Sequence, residues 1–271
     1  MSIVYPSREV FPHAPLALVA AEIRFTDAAR LRQQQTKDDV AIALEERFPF
    51  AEQLQRADVN LTPGGSPHIQ ERLGVVLKNM NSTETMTIMS ESLTYETTAY
   101  NNFEQLLEAV AAACDALVAA KVQPAVQRVG LRYIDEVRVP EPITDVRLWG
   151  KWVDSRLLGH LEMVPDDVPV TSTQSVSTYD LGEGKGLNFR YAALDQGPIV
   201  VPQFLKRRAV ESGPFFVLDF DGFHDFSGLD AAPLSSEVVL NALSAVHGPC
   251  GTAFQRSITN EARTLFRGTQ S

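Results

Sequence analysis

The feature that most constrains the fold is a stretch of alternating polarity at residues 126–140, VQRVGLRYIDEVRVP. Most of its odd positions are apolar, whereas its even positions include Arg128, Arg132 and Arg138. A period of two residues is typical of a β-strand with one buried face and one face in water. Such strands are characteristic of antiparallel sheets that are covered on one side. The stretch therefore predicts an antiparallel sheet whose wet face carries three guanidinium groups.

The other periodic segments predict an α+β protein, in which antiparallel sheets pack against helices. Residues 16–25 alternate like a second half-buried strand, and an apolar strand is predicted at residues 215–220. Turn residues predict a hairpin of strands at residues 72–80 and 84–100, the second with a bulge near residues 90–92. A second hairpin is predicted from strands at residues 170–180 and 187–194. Helical spacing of apolar residues predicts helices at residues 36–48, 102–121, 145–161, 235–248 and 259–267.

Proline marks two breaks in this pattern. The pair Gly248 and Pro249 predicts the end of the fourth helix. The prolines on either side of Glu141 predict a boundary between an N-terminal α+β half, residues 1–140, and a C-terminal α+β half, residues 141–271. The halves share an order of elements, which suggests a duplicated unit, but their side chains do not repeat. One continuous domain is the alternative.

Composition argues against several classes of partner. The formal net charge of −10 argues against nucleic acid, because binding to phosphates depends on Lys and Arg. The two cysteines are too few for a disulfide framework and have no zinc-binding spacing, so we expect reduced thiols. No window approaches the length of a membrane span, and the first residues do not resemble a signal peptide. We expect a cytoplasmic protein with no membrane partner and no cofactor.

The segment at residues 215–222, FFVLDFDG, resembles the nucleophile motif of haloacid-dehalogenase phosphatases. In that interpretation Asp219 attacks phosphorus and Asp221 acts as acid and base beside magnesium. Only 50 residues follow Asp221, too few for the later strands of a doubly wound fold, so the sequence disfavours this interpretation. With His224 and Asp225, the two aspartates are also a weak alternative metal site. We favour a polar turn at the end of the strand.

Two charged strand faces form the candidate binding surface. The first strand carries Glu22 and Arg24, and the later strand carries Arg128, Arg132 and Arg138. If the strands are neighbours, their wet faces merge into a surface suited to an anionic ligand or an acidic protein segment. The alternative is a set of cross-strand salt bridges, each of which contributes little. No nucleophile or acid–base pair accompanies these residues, so no catalytic residue is predicted.

Two blocks resemble a sporadically distributed, functionally uncharacterised bacterial family of similar length. Residues 14–25, APLALVAAEIRF, resemble its opening P-L-x-x-V-x-x-E-I-R-F, and residues 128–140 resemble its R-x-G-L-R-Y-I block. This chain has Ala17 where the family often has an acidic residue. The resemblance implies a cytoplasmic prokaryotic protein of the accessory or defence-associated kind. It supplies no catalytic residues.

These observations favour a non-catalytic binding protein that acts through a protein partner or self-association. The expected role is an accessory or antitoxin-like component of a bacterial, defence-associated system. The alternative is an enzyme or sensor that acts on a small anionic ligand, such as a nucleotide or phosphorylated metabolite, held by Arg24, Arg128 and Arg132.

Overall fold

The computed structural model describes residues 9–60, 68–226 and 231–268. The sequence LTPGGSP at residues 61–67 predicts a turn, and this segment lies outside the described residues. The described residues form ten strands: β1 (Leu16–Phe25), β2 (Phe50–Asn60), β3 (His68–Lys78), β4 (Glu84–Met89), β5 (Ser92–Thr97), β6 (Ala125–Val137), β7 (Thr173–Gly182), β8 (Lys185–Leu194), β9 (Phe215–Asp225) and β10 (Ala232–Pro233). The α-helices are α1 (Gln34–Ala43), α2 (Phe103–Ala119), α3 (Ser236–Ser257) and α4 (Asn260–Arg267).

All of these strands belong to one antiparallel sheet. Nine of them follow the order β2-β3-β4-β5-β1-β6-β9-β8-β7, and β10 pairs with β6 off this path. The two charged strands predicted from the sequence, β1 and β6, are neighbours, with Ala20 opposite Arg132 and Arg24 opposite Arg128. The predicted α+β class, antiparallel strands packed against helices, is confirmed. The sheet also crosses the predicted boundary, because β6 pairs with β9 along its length.

One face of the sheet is covered by the described helices. Odd-numbered residues of β6, such as Val129 and Leu131, pack with residues of α1, α2 and α3 in one large core cluster. A second cluster joins β8 and β9 to α3, α4 and Trp149. Helix α3 approaches β9 so closely at Gly222 that a β-carbon there would lie 2.8 Å from the Cys250 sulfur. The main apolar faces of the strands are therefore turned to this side, while a small cluster of Ala17, Ile134 and Val200 lies on the other.

A long connection between β8 and β9 crosses one end of the opposite face. Arg207 Nη2 donates to Glu136 Oε2 at 2.8 Å, and the backbone amides of Ile199 and Val200 donate to Glu136 Oε1. Arg138 also donates to Glu136. Burial by itself raises the pKa of Glu136, but these hydrogen bonds outweigh it and the pKa is lowered. This ionised carboxylate anchors the connection over the end of β6.

The predicted helices had different outcomes. Helix α2 is confirmed, and the Asn102 side chain caps it by accepting the backbone N–H of Gln105 at 2.8 Å. The expected stop at Gly248 and Pro249 is wrong, because α3 continues through both to Ser257. An internal proline costs about 3 kcal/mol, but burial of this helix against β9 offsets that cost, as tertiary packing often overrides local propensity.

Three further predictions are wrong. The helix predicted at residues 145–161 is instead three short 3₁₀ helices, Val146–Lys151, Ser155–Leu157 and Gly159–Met163. The side chains of Asp145 and Asp154 each accept the backbone N–H two residues later, and each of these bonds caps the start of a separate turn. The strand predicted at residues 84–100 is a hairpin of β4 and β5 with Met89 opposite Ser92. Strand β9 continues to Asp225 instead of ending in a polar turn. Its polar residues pair with neighbouring strands, which keeps them extended.

Candidate functional site

The first candidate site is the sheet face that the helices leave uncovered, which we call the open face. Strand alternation places Glu22 and Arg24 of β1 on it, together with Arg128 and Arg132 of β6. The pairing of β1 with β6 therefore joins their two charged faces into one surface, as predicted. Arg138 does not lie with these residues.

Strand β9 adds three carboxylates, of which Asp219 belongs to the strand predicted at residues 215–220, whereas Asp221 and Asp225 lie where the sequence predicts a turn. Asp219, Asp221 and Asp225 alternate with residues of the covered face, and β6 and β8 pair with β9 on either side. From β8, Arg190 and Asn188 lie opposite Asp219 and Asp221. The signal was present in the sequence, because the period of two in FFVLDFDGFHD continues through the acidic positions.

Arg132 and Asp219 make the strongest contact on the open face. Arg132 Nε and Nη2 donate to the two Asp219 carboxylate oxygens at 2.8 and 2.7 Å, the paired geometry of a bidentate ion pair. The Asp219 side chain is only 7% exposed, whereas that of Arg132 is 45% exposed. The hydrogen bond to Asp219 raises the pKa of Arg132. Arg190 Nη1 approaches the same carboxylate at 3.4 Å.

Arg24 and Arg128 are directly opposite each other in the register, an arrangement of like charges that is unfavourable by itself. Each has its own carboxylate. Arg24 Nε donates to Glu22 Oε2 at 2.9 Å. Arg128 lies 3.7 Å from an Asp221 oxygen and stacks over the Phe223 ring with 4.1 Å between the guanidinium carbon and the ring centroid. The open face is thus a lattice of opposite charges, not a cationic patch.

Arg138, a predicted binding residue, lies beneath the connection that crosses the end of β6. Its guanidinium donates to the carbonyl oxygens of Gly197 and Glu211 at 2.7 and 3.0 Å and stacks on Phe215. These contacts fasten the connection to the sheet. The structure therefore brings together four of the five predicted residues, Glu22, Arg24, Arg128 and Arg132, and separates Arg138 from them.

The phosphatase and metal interpretations find no geometry to support them. The motif containing Asp219 and Asp221 lies in the middle of an antiparallel sheet, not at the end of a parallel strand. Alternation sends His224 to the covered face, while Asp225 stays on the open face. Within the described parts of the chain, no three or more His, Cys, Asp or Glu side chains are grouped to hold a metal ion.

The second candidate site is a cavity of about 430 Å³ on the covered side of the sheet. It lies between β1, β6, the start of α2, the middle of α3 and the segment before β1. Tyr133 and His247 face it, with 2.9 Å between the Tyr133 hydroxyl and His247 Nδ1. The His247 ring stacks on Phe103 with 3.8 Å between centroids. The apolar wall includes Phe11, Leu16, Phe220 and Phe254.

Asp135 is the unusual residue of this cavity. Asp135 is only 4% exposed. Among the described residues, no group donates a hydrogen bond to its carboxyl group and no cation pairs with it. Burial, with a smaller contribution from Asp219 across the sheet, raises the pKa of Asp135 to about 8. The carboxyl group is therefore mainly protonated at pH 7. Asp135 is not among the site residues predicted from the sequence, although an acid at an odd position of β6 is a visible exception to the apolar pattern.

Neither cysteine is a candidate nucleophile. Cys250 lines the cavity, and Cys114 is a buried residue of α2 in the large core cluster. Burial raises the pKa of both thiols to about 12. Both are thus thiols at neutral pH, and only the thiolate form attacks substrates efficiently.

Comparison of the chain with protein-family models finds no family that matches it, and a search of curated proteins finds no matching relative. The resemblance to a sporadically distributed bacterial family stays a prediction. Among the described residues, no helix has both the length and the apolar character needed to cross a bilayer.

Proposed function

We propose that this chain is a non-catalytic binding protein and that its open face contacts a protein partner whose surface carries both charge signs. The observation that carries the proposal is the uncovered lattice of guanidinium and carboxylate groups on β1, β6, β9 and β8. Every described helix packs on the other side of the sheet. The face thus offers a broad, ordered, polar surface of fixed charge pattern.

The mixed charge favours a protein over a small anion. Arg132 already holds a carboxylate with two short hydrogen bonds, so a phosphate would have to displace Asp219 or share its partner. Glu96, on β5 beside this lattice, adds another acid, and burial together with Glu22 raises its pKa. The positive and negative charges on this face are balanced, which reduces its attraction for polyanions. Arginine that keeps part of its surface in water is common in protein interfaces.

The alternative, an enzyme or sensor for a small anionic ligand, has less support because carboxylates of the chain already pair with the guanidinium groups. The part of the proposal that concerns a bacterial accessory or antitoxin-like role rests on the sequence resemblance. A second copy of this chain is the other occupant that such a face suits, since its rows of opposite charge complement one another.

The test compares three proteins as baits in extract of the native host. One is the wild type, one carries Arg24→Ala and Arg190→Ala on the open face, and the control carries Arg30→Ala and Arg256→Ala, exposed positions outside that face. We expect a protein that the wild type and the control retain in equal amount and that the open-face variant loses. Light scattering on the purified chain detects self-association in the same variants.

Equal retention of every captured protein by all three baits, together with a monomer in solution, would contradict the proposal. Loss of a dimer in the open-face variant alone identifies the partner as a second copy.

A further inference from the structure

The cavity beside Asp135 is chemically unlike the open face. It lies on the covered side of the sheet and is walled largely by aromatic and aliphatic side chains. Among the described residues that line it, no lysine or arginine occurs, whereas three acids do: Glu9, Glu104 and Asp135. Its volume of about 430 Å³ is within the range of small-molecule sites in proteins.

The three acids differ in whether they already have a counter-charge. Glu9 receives a hydrogen bond from Arg267 at 2.8 Å, and that bond lowers the pKa of Glu9. Glu104 is exposed in the first turn of α2, where the helix dipole stabilises an anion. Asp135 alone is buried and lacks such a partner in the described residues. A carboxyl group in this position either keeps its proton or pairs with a cation that the described residues do not supply.

We infer that this cavity binds a small organic cation, in which a primary ammonium group pairs with Asp135 and an aromatic or branched apolar body packs against Phe103, Phe220 and Phe254. The ammonium group supplies the missing counter-charge and hydrogen-bond donors, and the faces of the aromatic rings favour a cation nearby. The Tyr133 hydroxyl, on the same strand as Asp135, lies on the cavity wall. This inference does not depend on the open face.

Binding must be linked to a proton. The carboxyl group of Asp135 is mainly protonated in the empty cavity at pH 7, and pairing with an ammonium group requires the carboxylate. One proton is therefore released for each cation bound, and affinity rises with pH toward the pKa of about 8. The other titratable groups that face the cavity are Glu9, Tyr100, Glu104, Tyr133, His247 and Cys250, with Asp219 across the sheet.

The experiment is calorimetric titration of the full chain with three probes of similar size: 2-phenylethylammonium, 2-phenylethanol and 3-phenylpropionate. We expect the ammonium probe to bind at least about tenfold more tightly than the other two, since a hydrogen bond to a charged group is worth that factor or more. Titration at pH 7 in buffers of different ionisation enthalpy should count release of about one proton per bound cation. Asp135→Asn should weaken the ammonium probe about 10- to 100-fold and abolish the proton release.

Asp115→Asn is the matched control, because Asp115 is an exposed acid on α2 that does not line the cavity. It should leave affinity and proton release unchanged. No binding of the ammonium probe, equal binding of the alcohol, or binding without proton release would overturn the inference. If Asp135→Asn does not fold, the probe comparison and the proton count on the wild type still decide it.

Discussion

Replacement of Asp135 by asparagine should stabilise the ligand-free protein, by an amount that increases with pH. The native pKa of Asp135 is about 8, whereas the same group in an unfolded chain has a pKa of about 3.9. Between these values the unfolded chain releases the proton and the native protein keeps it. The stability associated with this proton is fully present below the unfolded pKa and is lost as the pH rises through the native pKa.

The expected magnitude follows from that pH window. Each pH unit between the two pKa values reduces the free energy of unfolding by about 1.4 kcal/mol. Relative to the wild type, Asp135→Asn should therefore gain little at pH 4 and about 4 kcal/mol at pH 7. Asparagine and the protonated acid are similar in size and are both neutral, so they differ little in packing.

Urea unfolding at pH 5, 6, 7 and 8 measures this difference directly. The wild type should lose stability across this range relative to Asp135→Asn, while the exposed control Asp115→Asn should remain parallel to the wild type. Parallel curves for all three proteins, or a wild type that is more stable than Asp135→Asn at pH 8, would refute the reasoning. Such a result would mean that Asp135 is ionised in the native protein and has a hydrogen-bond donor or a counter-charge.

Three other substitutions probe the sheet and its covering connection. Arg132→Ala should reduce the free energy of unfolding by about 2 kcal/mol in urea titrations, because it leaves the nearly buried Asp219 with only its weaker arginine partner; an unchanged midpoint would contradict this. Glu136→Gln should increase amide exchange in the connection, residues 195–213, and the wild type should do the same as the pH falls through the lowered pKa of this acid. Equal amide exchange in the wild type and Glu136→Gln would contradict the anchoring role of Glu136. Gly222→Ala should lower the melting temperature, with a cost of about 1–3 kcal/mol, because the new β-carbon meets α3; a tolerated substitution would show that the helix can shift.

Much of the sheet was predictable because its central strands bury one face. The alternation in β1 and β6 identified both strands, and the cap at Asn102 marked the start of α2. Strand β2 escaped prediction, since an edge strand such as FAEQLQRADVN has few apolar residues to show a period. The length of α3 also escaped, because the residues that stabilise it past Pro249 belong to β9, far away in the sequence.

The candidate sites were predictable only in part. Register follows from pairing partners, and the sequence alone did not show that β9 lies beside β6 and supplies Asp219 to Arg132. The same applies to Arg138, whose partners come from a connection more than fifty residues later in the chain. The cavity beside Asp135 depends on packing among β1, β6, α2 and α3, which no local pattern encodes.

Carboxyl footprinting of the protein, alone and in complex with its captured partner or as a dimer, tests the proposed open-face interface most directly. The partly exposed carboxylates Glu22 and Asp225 should be protected from carbodiimide labelling in the complex, while the exposed Asp115 on the helical side keeps its reactivity. Protection of Asp115, with Glu22 and Asp225 labelled as in the protein alone, would contradict the account and place the interface on the helices.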